Sequence, residues 1–213
     1  MMLLSTKDKP KRTAQLGPDD WIGAALGLLV DAGIEAVQIT ALARKLKVTR
    51  GSFYWHFTSR EDLLEALLAE WRARNSGVMM DALGQSESLE TGILDLFSVW
   101  VDHTRFDPKL DQAVREWARR DAEIGTSLRI EDEERVAAIA KFFERFDYEP
   151  IEAFVRARVI YFTQLSYYAL GIDEPMEQRT KYLDAYFLCF TGTEIDGSVS
   201  EAYRALLTAG EGR

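Results

Sequence analysis

Between residues 40 and 60 the chain carries five basic side chains, Arg44, Lys45, Lys47, Arg50 and Arg60, and no Asp or Glu. The neutral residues there also have chemistry to offer. Thr49, Arg50, Gly51 and Ser52 run together, followed by Phe53, Tyr54, Trp55, His56 and Phe57. An arginine can pair bidentately with guanine or hold a phosphate, and short hydroxyls such as those of Thr49 and Ser52 reach phosphates or base edges. Gly51 removes a side chain where a backbone must come close. Phe53 and Phe57, four apart, belong on the inner face of a helix. Tyr54, Trp55 and His56 cannot share one helical face, so at least one must be exposed. Arg60, just beyond, is placed to hold a flanking backbone. This is what a helix inserted into a DNA groove should look like.

The wider charge pattern sharpens this. Residues 1–77 hold 11 Lys+Arg against 9 Asp+Glu, which leaves 15 against 26 for residues 78–213 of a chain at net -9. A uniformly acidic protein would be repelled by phosphate, whereas a polarised one can turn one end toward a polyanion. An ordinary solvated face is the alternative for residues 40–60, and the neutral residues of the segment weigh against it.

No catalytic set is visible: the sequence has no Gly-rich phosphate loop, HExxH, CxxC or nucleophile elbow. Two histidines, His56 and His103, with one cysteine cannot build a usual zinc site, so neither metal nor cofactor is expected. Acidic runs such as Asp19-Asp20 and Glu131–Glu134 read as solvated faces. Cys189 lies in an apolar run and reads as a small buried hydrophobe. The first residues have no apolar core like that of a signal peptide, and no apolar run approaches bilayer length, so a cytoplasmic protein with no membrane partner is expected.

Helical spacing dominates, and the fold expected is all-α. Residues 1–17 form an arm with Lys7, Lys9, Lys11 and Arg12. A first helix begins at Pro18-Asp19, buries Ile22, Ala25, Leu26 and Leu29, and stops at Gly33. Ile39–Leu46 is a second helix, with Leu42, Ala43 and Leu46 inward, and a third runs from Arg50 to Phe57. Ser59 caps a fourth, carrying Leu63, Leu64, Leu67, Leu68 and Trp71 and ending before Gly77. This gives a helix-turn-helix domain over 18–77 and a helical domain over 78–213. The second domain is expected to hold helices near 89–104, 108–121, 123–146, 150–171, 175–192 and 199–209.

Residues 21–68 resemble the N-terminal domain of the TetR (tetracycline-repressor) family of transcriptional regulators. The matching stretch is LARKLKVTRGSFYWHFTSREDLLEALL, strongest from Gly51 to Phe57 with Arg60, Glu61 and Leu63-Leu64 behind. The resemblance implies DNA contacts from Thr49, Arg50, Gly51, Ser52, Tyr54, Trp55 and His56, with Arg60 on the DNA backbone. Two positions depart from the family pattern. Lys47 stands at a turn that often carries Gly because φ tends to be positive there. Gln38 replaces a common Thr, leaving Thr40 as a substitute for a phosphate contact.

The resemblance also implies an effector pocket in the C-terminal domain. Independent candidates for its walls and polar tips are Trp100, His103, Trp117, Phe143, Phe146, Tyr161, Gln164 and Tyr168, and core filling accounts for the same residues. Helices near 151–170 and 177–191 are apolar around more than half their girth, which one monomer cannot bury. A homodimer is expected through Phe162, Leu165, Tyr182, Leu183, Tyr186 and Cys189, presenting two recognition helices to a palindromic site. The expected protein is a ligand-responsive regulator, a repressor in most of the family. It would be released from a double-stranded DNA operator by a small apolar or aromatic effector, with coupling through the fourth helix. Two rivals stand beside it: a DNA-independent ligand-binding or scaffold protein, and a DNA-binding regulator controlled by a protein partner.

Overall fold

The computed structural model describes residues 16–210, with side chains through Leu207, and every regular element among them is helical. The arm with Lys7, Lys9, Lys11 and Arg12 lies outside the described residues. The chain divides into two compact units, residues 1–67 and 68–213.

The N-terminal unit opens with α1 (Pro18–Ala32), where proline leads and Asp20 reaches back to the amide of Gly17 at 2.8 Å. Gly33, at φ 78°, ends it and returns its N–H to the Leu29 carbonyl. A 3-10 turn over Ile34–Ala36 leads to α2 (Ile39–Leu46) and then α3 (Arg50–Phe53). Trp21, Leu29, Leu42 and Phe53 are fully buried at the centre. Phe53 meets Trp21 edge-on at 5.3 Å and stacks on Phe57 at 5.4 Å.

The third helix is shorter than its sequence period suggests. Beyond Phe53 the N–H groups of Trp55 and His56 turn back to carbonyls three residues earlier, the tighter 3-10 pattern. The cause lies just downstream. Ser59 accepts from the N–H of Asp62 at 3.2 Å, while the Asp62 carboxylate accepts from the Thr58 amide at 2.8 Å. This reciprocal cap requires the chain to leave helical geometry before α4 (Arg60–Trp71) begins.

The expected stop before Gly77 does not occur. After α4, Arg72–Gly77 winds as a π-helix and runs directly into α5 (Val78–Gln85), an element whose presence the sequence did not suggest. The C-terminal unit continues with α6 (Leu89–Val101), α7 (Pro108–Ala118), α8 (Ala122–Glu144) and α9 (Pro150–Ala169). The helix expected over 175–192 is two pieces, α10 (Met176–Lys181) and α11 (Leu183–Thr191), followed by α12 (Gly197–Gly210). Val99, Ile139, Phe143, Ala153, Ala157 and Phe187 fill the core. At Gly92 a Cβ would lie 2.1 Å from the Phe142 ring, so the close packing of α6 on α8 requires glycine there.

A charged network sits inside this apolar unit. Asp111 receives Arg135 at 3.0 Å and Arg115 at 2.8 Å, with the side chains of Asp111 and Arg135 wholly buried. The Trp71 indole donates to Asp111 at 3.1 Å, Arg115 grips Asp132 at 2.7 Å, and Tyr161 donates to Asp132 at 2.6 Å. Arg135 also reaches Ser76 in the π segment at 2.8 Å and lies over the Trp71 ring. The network corrects the reading of Glu131–Glu134 as a solvated face. Glu131 is buried against Arg72 at 3.1 Å, and Asp132 belongs to the network.

Candidate functional site

The candidate interface is built from α2, α3 and the turn between them. Lys47 turns that corner at φ 59°, ψ 38°, the left-handed region expected there. Its N–H returns to the Arg44 carbonyl and that of Val48 to the Ala43 carbonyl, closing α2. Val37 and Leu42 are buried and Leu46 is half-buried, which anchors the inner faces. Gln38 precedes α2 without a capping bond, its amide donating instead to the Glu35 carbonyl at 3.0 Å. Thr40 is exposed in the first turn.

On the outer side lie Arg44, Lys45, Lys47, Thr49, Arg50 and Gly51, all exposed. None of these four cations makes an ion pair among the described residues; the ion pairs found there all lie in the C-terminal unit. Thr49 precedes α3 without spending its hydroxyl on a cap. A Cβ at Gly51 would meet only the Thr49 hydroxyl at 3.8 Å, so nothing within the domain demands glycine there. Tyr54 is 55% and Trp55 85% exposed, while His56 and Ser52 are half-buried. Exposing a tryptophan to that extent is unusual for so large a side chain.

Arg60 is placed differently from the other cations. Its guanidinium donates to the backbone carbonyls of Val37 at 2.7 Å and Ile34 at 3.1 Å. It ties α4 to the strap ahead of α2, so much of its hydrogen-bonding capacity is used within the domain.

The expected effector residues do not form one site. His103 lies beyond the end of α6 and is exposed, so it shares no helical face with Trp100. Trp100, Trp117 and Phe143 are buried, Phe146 packs on the same core, and Tyr161 belongs to the charged network. Tyr168 donates to the Trp100 carbonyl at 2.9 Å and stacks on Phe106. A cavity does exist in the C-terminal unit, but of the expected residues only Gln164 lines it. The sequence missed Tyr167, Glu174 and Arg179 there, and its one usable hint was the Tyr167-Tyr168 pair next to Gln164.

The residues expected at a subunit contact also divide. Phe162, Tyr182 and Cys189 are exposed, and Leu165 and Tyr186 are half-buried. Cys189 is therefore not the buried hydrophobe its apolar neighbours suggested. Leu183 is 7% exposed and packs with Leu94 and Tyr203 inside the unit, which removes it from any open face.

The N-terminal helices have clear relatives. Residues 22–67 match the family described as bacterial regulatory proteins, tetR family. Similar proteins include the tetracycline repressor protein class D of Escherichia coli, 37% identical over 73 residues, which are 34% of either chain. The HTH-type transcriptional regulator SrpR of Pseudomonas putida is 44% identical over 48 residues, 22% of either chain. The nucleoid occlusion factor SlmA of Actinobacillus pleuropneumoniae serotype 5b (strain L20) is 21% identical over 149 residues, 70% of this chain and 69% of that one. The whole fold resembles the crystal structure of a transcriptional regulator from Rhodococcus sp. Rha1, with a TM-score of 0.58 at 13% identity, over 92% of this chain and 97% of that one. These likenesses define a helix-turn-helix regulator fold. The family likeness is carried by the N-terminal helices, residues 22–67, which match the tetR family of bacterial regulatory proteins. The match to the tetracycline repressor spans 34% of that relative's length, so the likeness speaks for the N-terminal helices and leaves the C-terminal unit to its own residues.

Proposed function

We propose that this protein is a transcriptional repressor of the bacterial cytoplasm that binds a palindromic DNA operator as a homodimer and is released by a small apolar or aromatic effector. One observation carries the DNA-binding part. Among the described residues Arg44, Lys45, Lys47 and Arg50 are exposed without carboxylate partners, beside the exposed Tyr54 and Trp55. Arg50 and Ser52, in the first turn of α3, are the residues to reach base edges. Thr40, Lys47, Thr49 and Tyr54 are suited to phosphates, and Gly51 to close backbone approach. Similarity to a tetracycline repressor favours repression over activation.

Two-sided packing of α9 supports dimerisation. Ala153, Ala157, Ile160 and Tyr161 are buried in the unit, while Ile151, Val155, Val159 and Phe162 form an exposed stripe on another side. Leu188 and Cys189 of α11 add further exposed apolar surface. A second copy of the same surface covers such a stripe with twofold symmetry.

The test is fluorescence anisotropy on selected operator DNA together with sedimentation. The parent should bind with a steep salt dependence. Arg50→Ala should weaken specific binding by ~1–3 kcal/mol if it reads guanine, or lower the salt slope by about 1 if it holds phosphate. Tyr54→Ala should impair binding in an intact dimer. Phe162→Glu should give monomer or aggregate, because it puts a carboxylate, with only the neighbouring Arg158 to meet it, into the apolar contact. Undiminished binding by both Arg50→Ala and Tyr54→Ala would mean that α3 is not the recognition helix, a parent without salt-dependent DNA binding would point to the scaffold reading, and a monomeric parent would remove the dimer.

A further inference from the structure

A cavity of about 80 Å³ lies in the C-terminal unit, between α6, α9 and the short helices α10 to α12. That is several times the roughly 10–15 Å³ a single water needs on the same measure. Phe97, Ile160, Leu183 and Phe190 supply apolar walls, and Tyr186 and Tyr203 add ring faces. Such walls favour a flat, largely apolar guest.

The polar groups decide what else the guest must carry. Most are already coupled to one another. Tyr203 shares a hydrogen bond with Ser98 at 2.9 Å. Tyr167 donates to Glu174 at 3.1 Å and pairs with the Tyr186 hydroxyl at 2.9 Å. Burial, the Tyr186 hydroxyl and Glu174 together raise the Tyr167 pKa, keeping the phenol protonated as that donor. Two donors remain. The Gln164 amide nitrogen is buried, with the residue 9% exposed, and makes no hydrogen bond of ordinary geometry, although it faces the Tyr168 hydroxyl. Arg179 lies over the Tyr167 ring at 5.2 Å and makes no ion pair among the described residues. A buried donor that lacks a well-placed acceptor is costly, so a guest that supplies one recovers that cost.

We propose that this cavity binds a small aromatic carboxylate, its ring against the apolar and tyrosine walls and its carboxylate accepting from Arg179 and Gln164. This names the effector class of the regulator proposed above and rests on that reading. An amine is disfavoured although Glu174 lines the site, because that carboxylate already accepts from Tyr167 and a second cation would sit beside Arg179. The acidic C-terminal domain opposes anions at long range, but charges beyond ~8 Å are screened at physiological salt, so the nearest cation dominates.

Calorimetric titration of the full chain, without DNA, against benzoate, benzamide, benzylamine and toluene tests the site. Benzoate should bind best, benzamide more weakly, and benzylamine and toluene least. Arg179→Met should weaken benzoate about tenfold or more, and Gln164→Leu about fivefold, while toluene is unaffected by either change. Arg179→Lys, which keeps the charge, should retain part of the affinity, and it replaces Arg179→Met if that variant does not fold. No benzoate binding by the parent, equal binding by the variants, or tighter binding of benzylamine would overturn the proposal. DNA affinity measured with and without benzoate separates the two readings. Benzoate bound at this site with unchanged DNA affinity keeps the site and removes effector control. Intact DNA binding with no benzoate bound anywhere removes the site and leaves the DNA-binding reading standing.

Discussion

In the N-terminal unit, Arg44, Lys45, Lys47 and Arg50 are exposed, and none of them makes an ion pair among the described residues. In the C-terminal unit, Arg115 and Arg135 are sunk among helices and held by Asp111 and Asp132. The same residue type serves opposite ends. A buried guanidinium must be neutralised and hydrogen-bonded, because desolvating it alone is very costly. An exposed, unpaired guanidinium costs the fold little and keeps its charge available for a phosphate, where displaced counterions add to affinity. Basic residue counts would not separate the two uses; the presence or absence of a carboxylate partner does. Arg60 falls between them. It belongs to the basic segment by sequence, yet it is bound to carbonyls inside its own domain.

The largest effect expected from this comparison is in the buried network. Asp111→Ala leaves Arg135 buried without its carboxylate and should cost ~3–5 kcal/mol, read by urea unfolding through the buried Trp71 and Trp100. Acid gives a second view. Burial pushes the Asp111 pKa up, but the charges of Arg135 and Arg115 outweigh it and hold the carboxyl below its ordinary value. A carboxyl with a depressed folded pKa contributes stability above its unfolded pKa of about 3.9, and that contribution is lost as pH falls through the folded value. The parent should therefore lose this contribution only below about pH 4, and Asp111→Ala should lack that step. A variant as stable as the parent would mean the pair specifies packing without net stabilisation.

Arg60→Gln comes next. Removing two bonds to backbone carbonyls should cost the N-terminal unit ~1–3 kcal/mol, followed by fluorescence of the buried Trp21. Arg50→Gln should leave that stability unchanged and lower DNA affinity instead. If the folded Arg60→Gln protein also loses a full step of salt dependence, Arg60 serves the domain and the DNA together.

How much of this was legible beforehand follows the range of the interactions. The cap of α1 at Gly33, the bounds of α2 and the turn at Lys47 are set by neighbours a few residues away, and the four-residue spacing of Phe53 and Phe57 shows which way they face, so the sequence shows all of these. Tyr54 and Trp55 are exposed because three consecutive residues cannot all face inward. The network could not be read, since Asp111 meets Arg135 and Arg72 meets Glu131 across long separations, and a charged run looks the same whether solvated or paired. The cavity was hidden for a related reason. Trp100, Trp117 and Phe143 have the residue types of a pocket wall, but only the arrangement of the helices decides whether an aromatic fills space or borders it. A local competition also escaped notice. The cap formed by Ser59 and Asp62 shortened α3, and its own signal lay in the sequence, outweighed there by the four-residue spacing of the two phenylalanines.

The smallest predicted effect is the most discriminating, because it moves stability and binding in opposite directions. Lys47 holds a left-handed backbone at φ 59°, which costs a residue with a Cβ ~1–3 kcal/mol. Glycine adopts that conformation without strain but gives back ~0.5–1 kcal/mol in unfolded-chain entropy. Lys47→Gly should thus stabilise the N-terminal unit by ~0–2.5 kcal/mol. It also deletes one of the unpaired cations, so if Lys47 meets a phosphate the salt slope should fall by about 0.9. Lys47→Ala serves as the control, losing the charge while keeping the strain. A more stable, more weakly binding Lys47→Gly protein beside an equally weak but unstabilised Lys47→Ala protein would show that this turn accepts strain to place a charge. If Lys47→Gly gains stability and neither variant changes the salt slope, exposure without a carboxylate partner is not enough to mark a phosphate contact. The contrast between the two units would then rest on Arg50 and its neighbours in α3.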